Sequence, residues 1–298
     1  MRSSIRFLCC ALTRSALLLA VTSTVVYAQS QASCNFKLFT LPNSNPTGDF
    51  ALGINSFGTV VGEFENTNGT EIGFIRYSGG HLNFFAPGGA ATWFTARNDL
   101  GISIGEEVSN IAQGFMLHGS SGVTSIVHPN AAMGTFVQGI NRWNSVVGYY
   151  LDSNNVPHGF KQFSNGSFMD LNYPGAQRTT PMGINDSGMI VGSYVDVFGS
   201  HGFIYHNGQW ATLDNPSAPV GTTGLNGISN AGKIIGFNNP PAQTSAFLYE
   251  NGVFKVIAVP KATGGTFANG ISANGLITGD VYLNGNNSSQ NGFIATCN

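Results

Sequence analysis

Six carboxylates at separate places along the chain, Asp49, Glu63, Glu106, Asp152, Asp196 and Asp280, are the residues able to supply acid and base. A pair of them at the right separation would serve hydrolysis or elimination at a polysaccharide or a lactone. A second constellation is a row at regular intervals: Asp49, Thr92, Thr135, Thr179, Thr223 and Thr266. The residues that follow are Phe50, Trp93, Phe136, Thr180, Gly224 and Phe267. Hydroxyls flanked by aromatic rings suit a glycan, and equally a repeated turn that needs capping. Asp49 is the one charge in the row, Trp93 offers a flat apolar ring, and Arg178, next to Thr179, suits an anionic group. No HExxH, CxxC, paired acidic calcium loop, G-x-S-x-G or P-loop is present, and "GSSGV" at Gly119 resembles a serine elbow only superficially. No catalytic residue, metal ligand or cofactor is therefore assigned.

The row belongs to a repeat. "VQGINRWNSVVGYYLD" from Val137 and "PMGINDSGMIVGSYVD" from Pro181 share one frame. Laid on itself, the chain gives six G-I-N elements ending at Asn55, Asn98, Asn141, Asn185, Ser229 and Ser272, spaced by 43, 43, 44, 44 and 43 residues. A fixed period in this range marks a propeller or a solenoid. Each copy predicts four strands. The first runs into G-I-N and a tight N-x-x-G turn; the second is V-V-G-Y-like; the third carries G-F or A-F, as in "HGFIYH" from His201. The fourth follows an N-G turn and ends at a proline, as in Trp210, Leu213 and Pro216, or His81, Phe84 and Pro87. The repeated Phe, Val and Ile positions are expected to be packing. His158 and His201 are expected to bond backbone at strand starts, and His128 and His206 to stand alone.

An unpaired fourth strand, "CNFKLFTLP", precedes the first repeat, and the last repeat stops after its third strand at "GFIATCN". One repeat is thus cut, with its halves at opposite ends. An open solenoid has no use for this, whereas a closed ring does, because the N-terminal strand completes the last sheet. Counting from Phe293 to Cys297, then from Cys34 to Pro42, reproduces the 13 residues from Phe203 to Pro216. Cys34 and Cys297 then occupy the two positions that N-G fills elsewhere, and a disulfide between them restores the missing link. The expectation is an all-β, six-bladed β-propeller with four antiparallel strands per blade, spanning residues 29–298.

The H-G-F pieces at His158 and His201, the S-A-F at Ser245 and the G-I-N-x-x-G-x-V-V-G-Y frame resemble the bacterial extracellular HAF repeat family. The resemblance covers the chain after residue 28, with Ile72, Gln113, Ser245 and Asn291 standing where that signature has His. It implies export and repetition, and no particular activity.

Residues 1–28 read as a secretory signal: Arg2, Arg6 and Arg14, an apolar "SALLLAVTSTVV", then Val26 and Ala28 as small residues before a cleavage point. A lipoprotein anchor at Cys34 is disfavoured by Gln31, where an aliphatic residue belongs. All 14 acidic but only nine of the 12 basic residues follow Ala28, leaving a net charge of −5 without any basic run. Nucleic acid and anionic membranes are poor partners for such a chain, and no stretch is long enough to span a bilayer as a helix. Charged residues at 9% and 40 glycines in 298 residues suit short strands and tight turns. These features point to a secreted (extracellular or periplasmic), monomeric, non-enzymatic binding or scaffold protein for a glycan or another extracellular protein. A polysaccharide- or lactone-cleaving propeller and a purely structural surface protein are the alternatives. The loops between second and third strands lie at the same end as the row from Asp49 to Thr266, so that end is the expected mouth.

Overall fold

The computed structural model describes residues 30–42, 44–86, 91–119, 122–239, 245–283 and 290–298; the signal segment and Pro87 lie outside them. The described secondary structure is all β, arranged as a propeller-like fold without a helix. Each repeat is an antiparallel meander. In the fourth, Arg178–Ile184 pairs with Ile190–Asp196, which pairs with Gly199–His206, which pairs with Gln209–Thr212.

By hydrogen bonding the strands fall into five sheets, not six. Two repeats merge into an eight-stranded sheet because Gly134, entering the third repeat, forms one parallel bridge with Ala112. Another sheet gains a fifth strand: Ser30–Gln31 runs parallel to Val253–Ile257, and Ala32, buried beside it, donates its N–H to the Val256 carbonyl. That addition had no sequence signal. The cut repeat is rejoined as expected. Cys34–Phe39 pairs with Gln290–Cys297, Cys34 faces Cys297, and the two are disulfide-bonded with Cα atoms 4.1 Å apart. Leu38 faces Phe293 as Thr212 faces Phe203, so the cysteines do stand where Asn207 and Gly208 turn the intact repeat.

The phenylalanines of the third strands, Phe74, Phe115, Phe160, Phe203, Phe247 and Phe293, are all buried between neighbouring repeats, with the Val and Ile pairs of the second strands around them. Burying each such ring contributes on the order of 2–3 kcal/mol. Every first strand carries the same irregularity, a bulge two residues before the Ile of G-I-N, for example between Val137 and Gly139 or Pro181 and Gly183. The bulge pushes a carbonyl towards the second strand, and glycine of V-V-G is the residue that tolerates it: a Cβ on Gly148 would lie 2.0 Å from the Phe136 oxygen. The G-I-N glycines allow the first strands to crowd together. A Cβ on Gly139 would meet Gly183 at 3.0 Å, one on Gly183 would meet Gly227 at 2.8 Å, and one on Gly270 would meet Gly53 at 2.9 Å. The last contact joins the final repeat to the first.

The G-I-N asparagines link neighbours. Asn98 donates to the Asn141 carbonyl at 3.1 Å, Asn141 to that of Asn185 at 3.2 Å, and Asn185 to that of Ser229 at 3.2 Å. Their side-chain oxygens cap the N-x-x-G turns, as Asn141 does for Trp143 and Ser145.

Candidate functional site

Residues of all six repeats line one narrow axial space: Leu52, Thr95, Gln138, Met182, Asn226 and Asn269, each placed there by its bulge. Several of these side chains also bridge to the next repeat. Thr95 donates to the Val137 carbonyl at 2.7 Å, Asn226 to that of Ala268 at 2.9 Å, and Asn269 to that of Ala51 at 3.1 Å.

The row from Asp49 to Thr266 sits behind this wall, not on it. Asp49, Thr92, Thr135, Thr179, Thr223 and Thr266 are all buried, at 6% exposure or less. Thr135, Thr179, Thr223 and Thr266 accept the backbone N–H of His128, Tyr173, Asn215 and Val259, and the Asp49 carboxylate accepts that of Leu41. Each donor immediately precedes a proline, Pro129, Pro174, Pro216, Pro260 or Pro42. The proline ends the fourth strand, and the hydroxyl caps the loop that carries the chain into the next repeat. The turn-capping alternative is the role these bonds give Asp49, Thr135, Thr179, Thr223 and Thr266, and Thr266 also forms part of the lining of a pocket at the mouth.

The wall of the mouth is built by the residue after each of them and by its cross-strand partner, which follows the V-V-G glycine. Phe50 faces Glu63, Trp93 faces Glu106, Phe136 faces Tyr149, Thr180 faces Ser193, Gly224 faces Phe237 and Phe267 faces Asp280. Of this second ring the sequence singles out Glu63, Glu106 and Asp280 as carboxylates and the residues after the row; Tyr149, Ser193 and Phe237, in the same register directly after the glycine, were missed.

The ring is chemically divided. On one side, from the last repeat through the second, stand Asp280, Glu63 and Glu106. Asp280 is buried; burial pushes its carboxyl up to about 8, against the N–H it accepts from Ala51 at 2.8 Å and a hydrogen bond from Asn269. Glu106 is fully buried and held well above the ordinary carboxylate range by burial, while it accepts the Val137 N–H at 2.7 Å. Glu63 is half-buried and rises to about 7 through burial and the charge of Glu71. Two of these three carboxyls thus hold adjacent repeats together through backbone N–H groups.

On the other side, from the third repeat through the last, the mouth opens. One pocket of ≈ 290 Å³ includes Tyr149, Arg178, Thr180, Ser193, Asn226 and Phe237 in its lining. Asn226 and Phe237 are shared with a second pocket of ≈ 290 Å³ that reaches Asn239, Phe267 and Asn269. Phe136 stacks on Tyr149 with ring centres 4.9 Å apart, which fixes that edge. Arg178 is exposed at the start of its strand and lines the first pocket; Trp93 is half-buried on the acidic side, away from these pockets.

The remaining sequence candidates are paired with histidines. His158 Nε2 lies 3.1 Å from Asp152, and His201 lies 2.6 Å from Asp214 through Nδ1 and 3.3 Å from Asp196 through Nε2. These are carboxylate contacts, where backbone contacts were expected. His128 is not alone either: it stacks on Tyr150 at 3.9 Å and contacts Asp170 at 3.3 Å. Among the described residues no group of three or more His, Cys, Asp or Glu is arranged to hold a metal ion, and no helix is long and apolar enough to cross a membrane.

No protein-family model and no curated protein matches the chain. Solved structures do. A streptogramin B lyase aligns over 89% of this chain and 98% of its own at 11% identity and a TM-score of 0.52. TolB from Acinetobacter baumannii aligns over 84% of this chain and 64% of its own at 11% identity and a TM-score of 0.54. AofleA from Arthrobotrys oligospora aligns over 83% of this chain and 82% of its own at 14% identity and a TM-score of 0.51. Likeness at such identities establishes the fold, and the fold is that of a β-propeller.

Proposed function

We propose that this is an exported, non-enzymatic binding protein built as a monomeric six-bladed ring of HAF-type repeats, which holds a glycan or a segment of an extracellular protein at the open side of its mouth. One blade per repeat is supported by the six meanders and by the contact of Gly270 with Gly53. Export agrees with the disulfide, a bond that persists in oxidising compartments.

The observation that carries the binding role is the composition of the open side. Arg178, Asn226, Ser193, Tyr149 and Phe237 offer a cation, an amide, hydroxyls and aromatic faces, with no carboxylate in either pocket. Hydrolysis of a glycosidic bond needs two carboxyl groups across the scissile bond, whereas recognition needs donors and flat apolar surfaces. The test is a glycan array and a panel of extracellular peptides against the chain lacking residues 1–28. Arg178→Ala and Phe237→Ala are expected to weaken the captured ligand at least tenfold at an unchanged melting temperature. Full binding by both variants would exclude this side of the mouth and favour a purely structural role.

A cleaving propeller stays in view for one reason. Glu63, half-buried in the same ring and raised to about 7, has the proton affinity of a general acid at neutral pH. Turnover of a polysaccharide or lactone that is abolished in Glu63→Gln would establish that reading instead.

A further inference from the structure

Arg97 is the odd residue of the innermost strands. Ile54, Ile140, Ile184, Ile228 and Ile271 occupy its position in the other repeats, and all five line the axial space with it. An arginine in place of an apolar residue costs desolvation unless it is paired. Yet among the described residues the ion pairs do not include Arg97. Its guanidinium is half-buried, which lowers its pKa; Nη1 donates to Ser103 Oγ at 2.7 Å, Cζ lies 5.9 Å from the Tyr77 ring centre, and Nε is buried with no hydrogen-bond partner.

The same side chain forms part of the lining of a groove between the first and second repeats, of ≈ 870 Å³, at the end opposite the mouth. Around it stand Tyr77, Asn83, Phe84, Leu117 and Val123, and the groove contains no acidic residue. Val123 is half exposed, at 49%, so the apolar lining is open to solvent.

We propose that this groove is a second binding site, specific for a carboxylate-bearing sugar, with Arg97 pairing the carboxylate and Tyr77 stacking on the flat face of the ring. An unpaired guanidinium presents fork-like donors that match a carboxylate in two parallel hydrogen bonds, and aromatic faces pack on the C–H face of a pyranose. Asn83, whose amide lies 3.4 Å from the Tyr77 hydroxyl, stands beside them as a hydrogen-bonding group for sugar hydroxyls. This site is independent of Arg178 and of the mouth.

The experiment is titration of the chain lacking residues 1–28 with D-glucuronate and tri-galacturonate, and with glucose and maltotriose as neutral counterparts, followed by calorimetry and by NMR. The acidic sugars are expected to bind at least tenfold more tightly than the neutral ones and to perturb Tyr77. Arg97→Ile installs the residue of the other five repeats and so preserves the fold; Arg97→Gln keeps a donor for Ser103 without the charge. Both are expected to lose the acidic sugars at least tenfold, while Arg178→Ala leaves that binding unchanged. No binding by the unsubstituted chain, equal binding of neutral and acidic sugars, or undiminished binding in folded Arg97→Ile would each overturn the proposal.

Discussion

Glu63 shows how one side chain in this ring couples burial to pH. Its carboxyl is raised from 4.5 to about 7 by burial and by Glu71. Below pH 4.5 the group is protonated in folded and unfolded chains alike. Between 4.5 and about 7 the folded state keeps a proton that the unfolded chain has lost, so stability falls as pH rises through that window. The size of the fall is on the order of 3 kcal/mol, at ~1.4 kcal/mol per pKa unit and with solvent screening of a half-buried group reducing it somewhat. Glu63→Gln is expected to remove that portion of the decline, which denaturant unfolding at pH 4.5 and pH 7.5 measures; an unchanged slope would assign the decline elsewhere. His201 acts with the same sign in a window that begins higher, above its ordinary value of 6.5. Burial lowers it, but Asp214 and Asp196 outweigh burial and raise it, so the stability that its charge contributes is lost as pH rises through its folded pKa.

At the scale of the element, the bulged first strand and the glycine opposite it form one unit. The extra residue turns Gln138 or Asn226 into the axis, and the carbonyl it displaces lies where a Cβ of the second strand would stand. Gly148→Ala is therefore expected to cost about 3 kcal/mol or more, as overpacking against backbone does. Gly166→Ala is the comparison: it has φ +85 and nothing within 4 Å of a new Cβ, so it meets only left-handed backbone strain of about 1 kcal/mol. Thermal unfolding of the two variants gives the ranking. If Gly166→Ala melts lower than Gly148→Ala, the carbonyl clash is not what selects glycine in V-V-G.

For the whole molecule the disulfide matters most. It ties residues 263 apart in sequence across the seam where the cut repeat is rejoined. On the chain-entropy model such a link stabilises by about 5 kcal/mol as an upper value. Cys297→Ser is expected to lower the melting temperature by several degrees and to make it insensitive to reductant, while the unsubstituted chain loses stability on reduction. Equal melting of reduced and oxidised protein would show that the β-ladder from Cys34 to Phe39 holds the seam unaided.

Much of this was legible in the sequence because it repeats. Period, strand order, the split repeat and the pairing of Cys34 with Cys297 all follow from local patterns whose register is preserved from copy to copy. The buried Phe of each third strand was read in the same way. What the sequence left open were the matters decided by depth and by contact between repeats. The row from Asp49 to Thr266 looked like a ligand-facing ring, and only the fold shows its hydroxyls capping the N–H groups that precede the prolines. Local spacing fixes which residues share a register, but not whether the register faces the axis or the loop behind it. Likewise Asp280, Glu63 and Glu106 lie far apart in the chain, and they share one side of the mouth only because the circle brings the last repeat against the first.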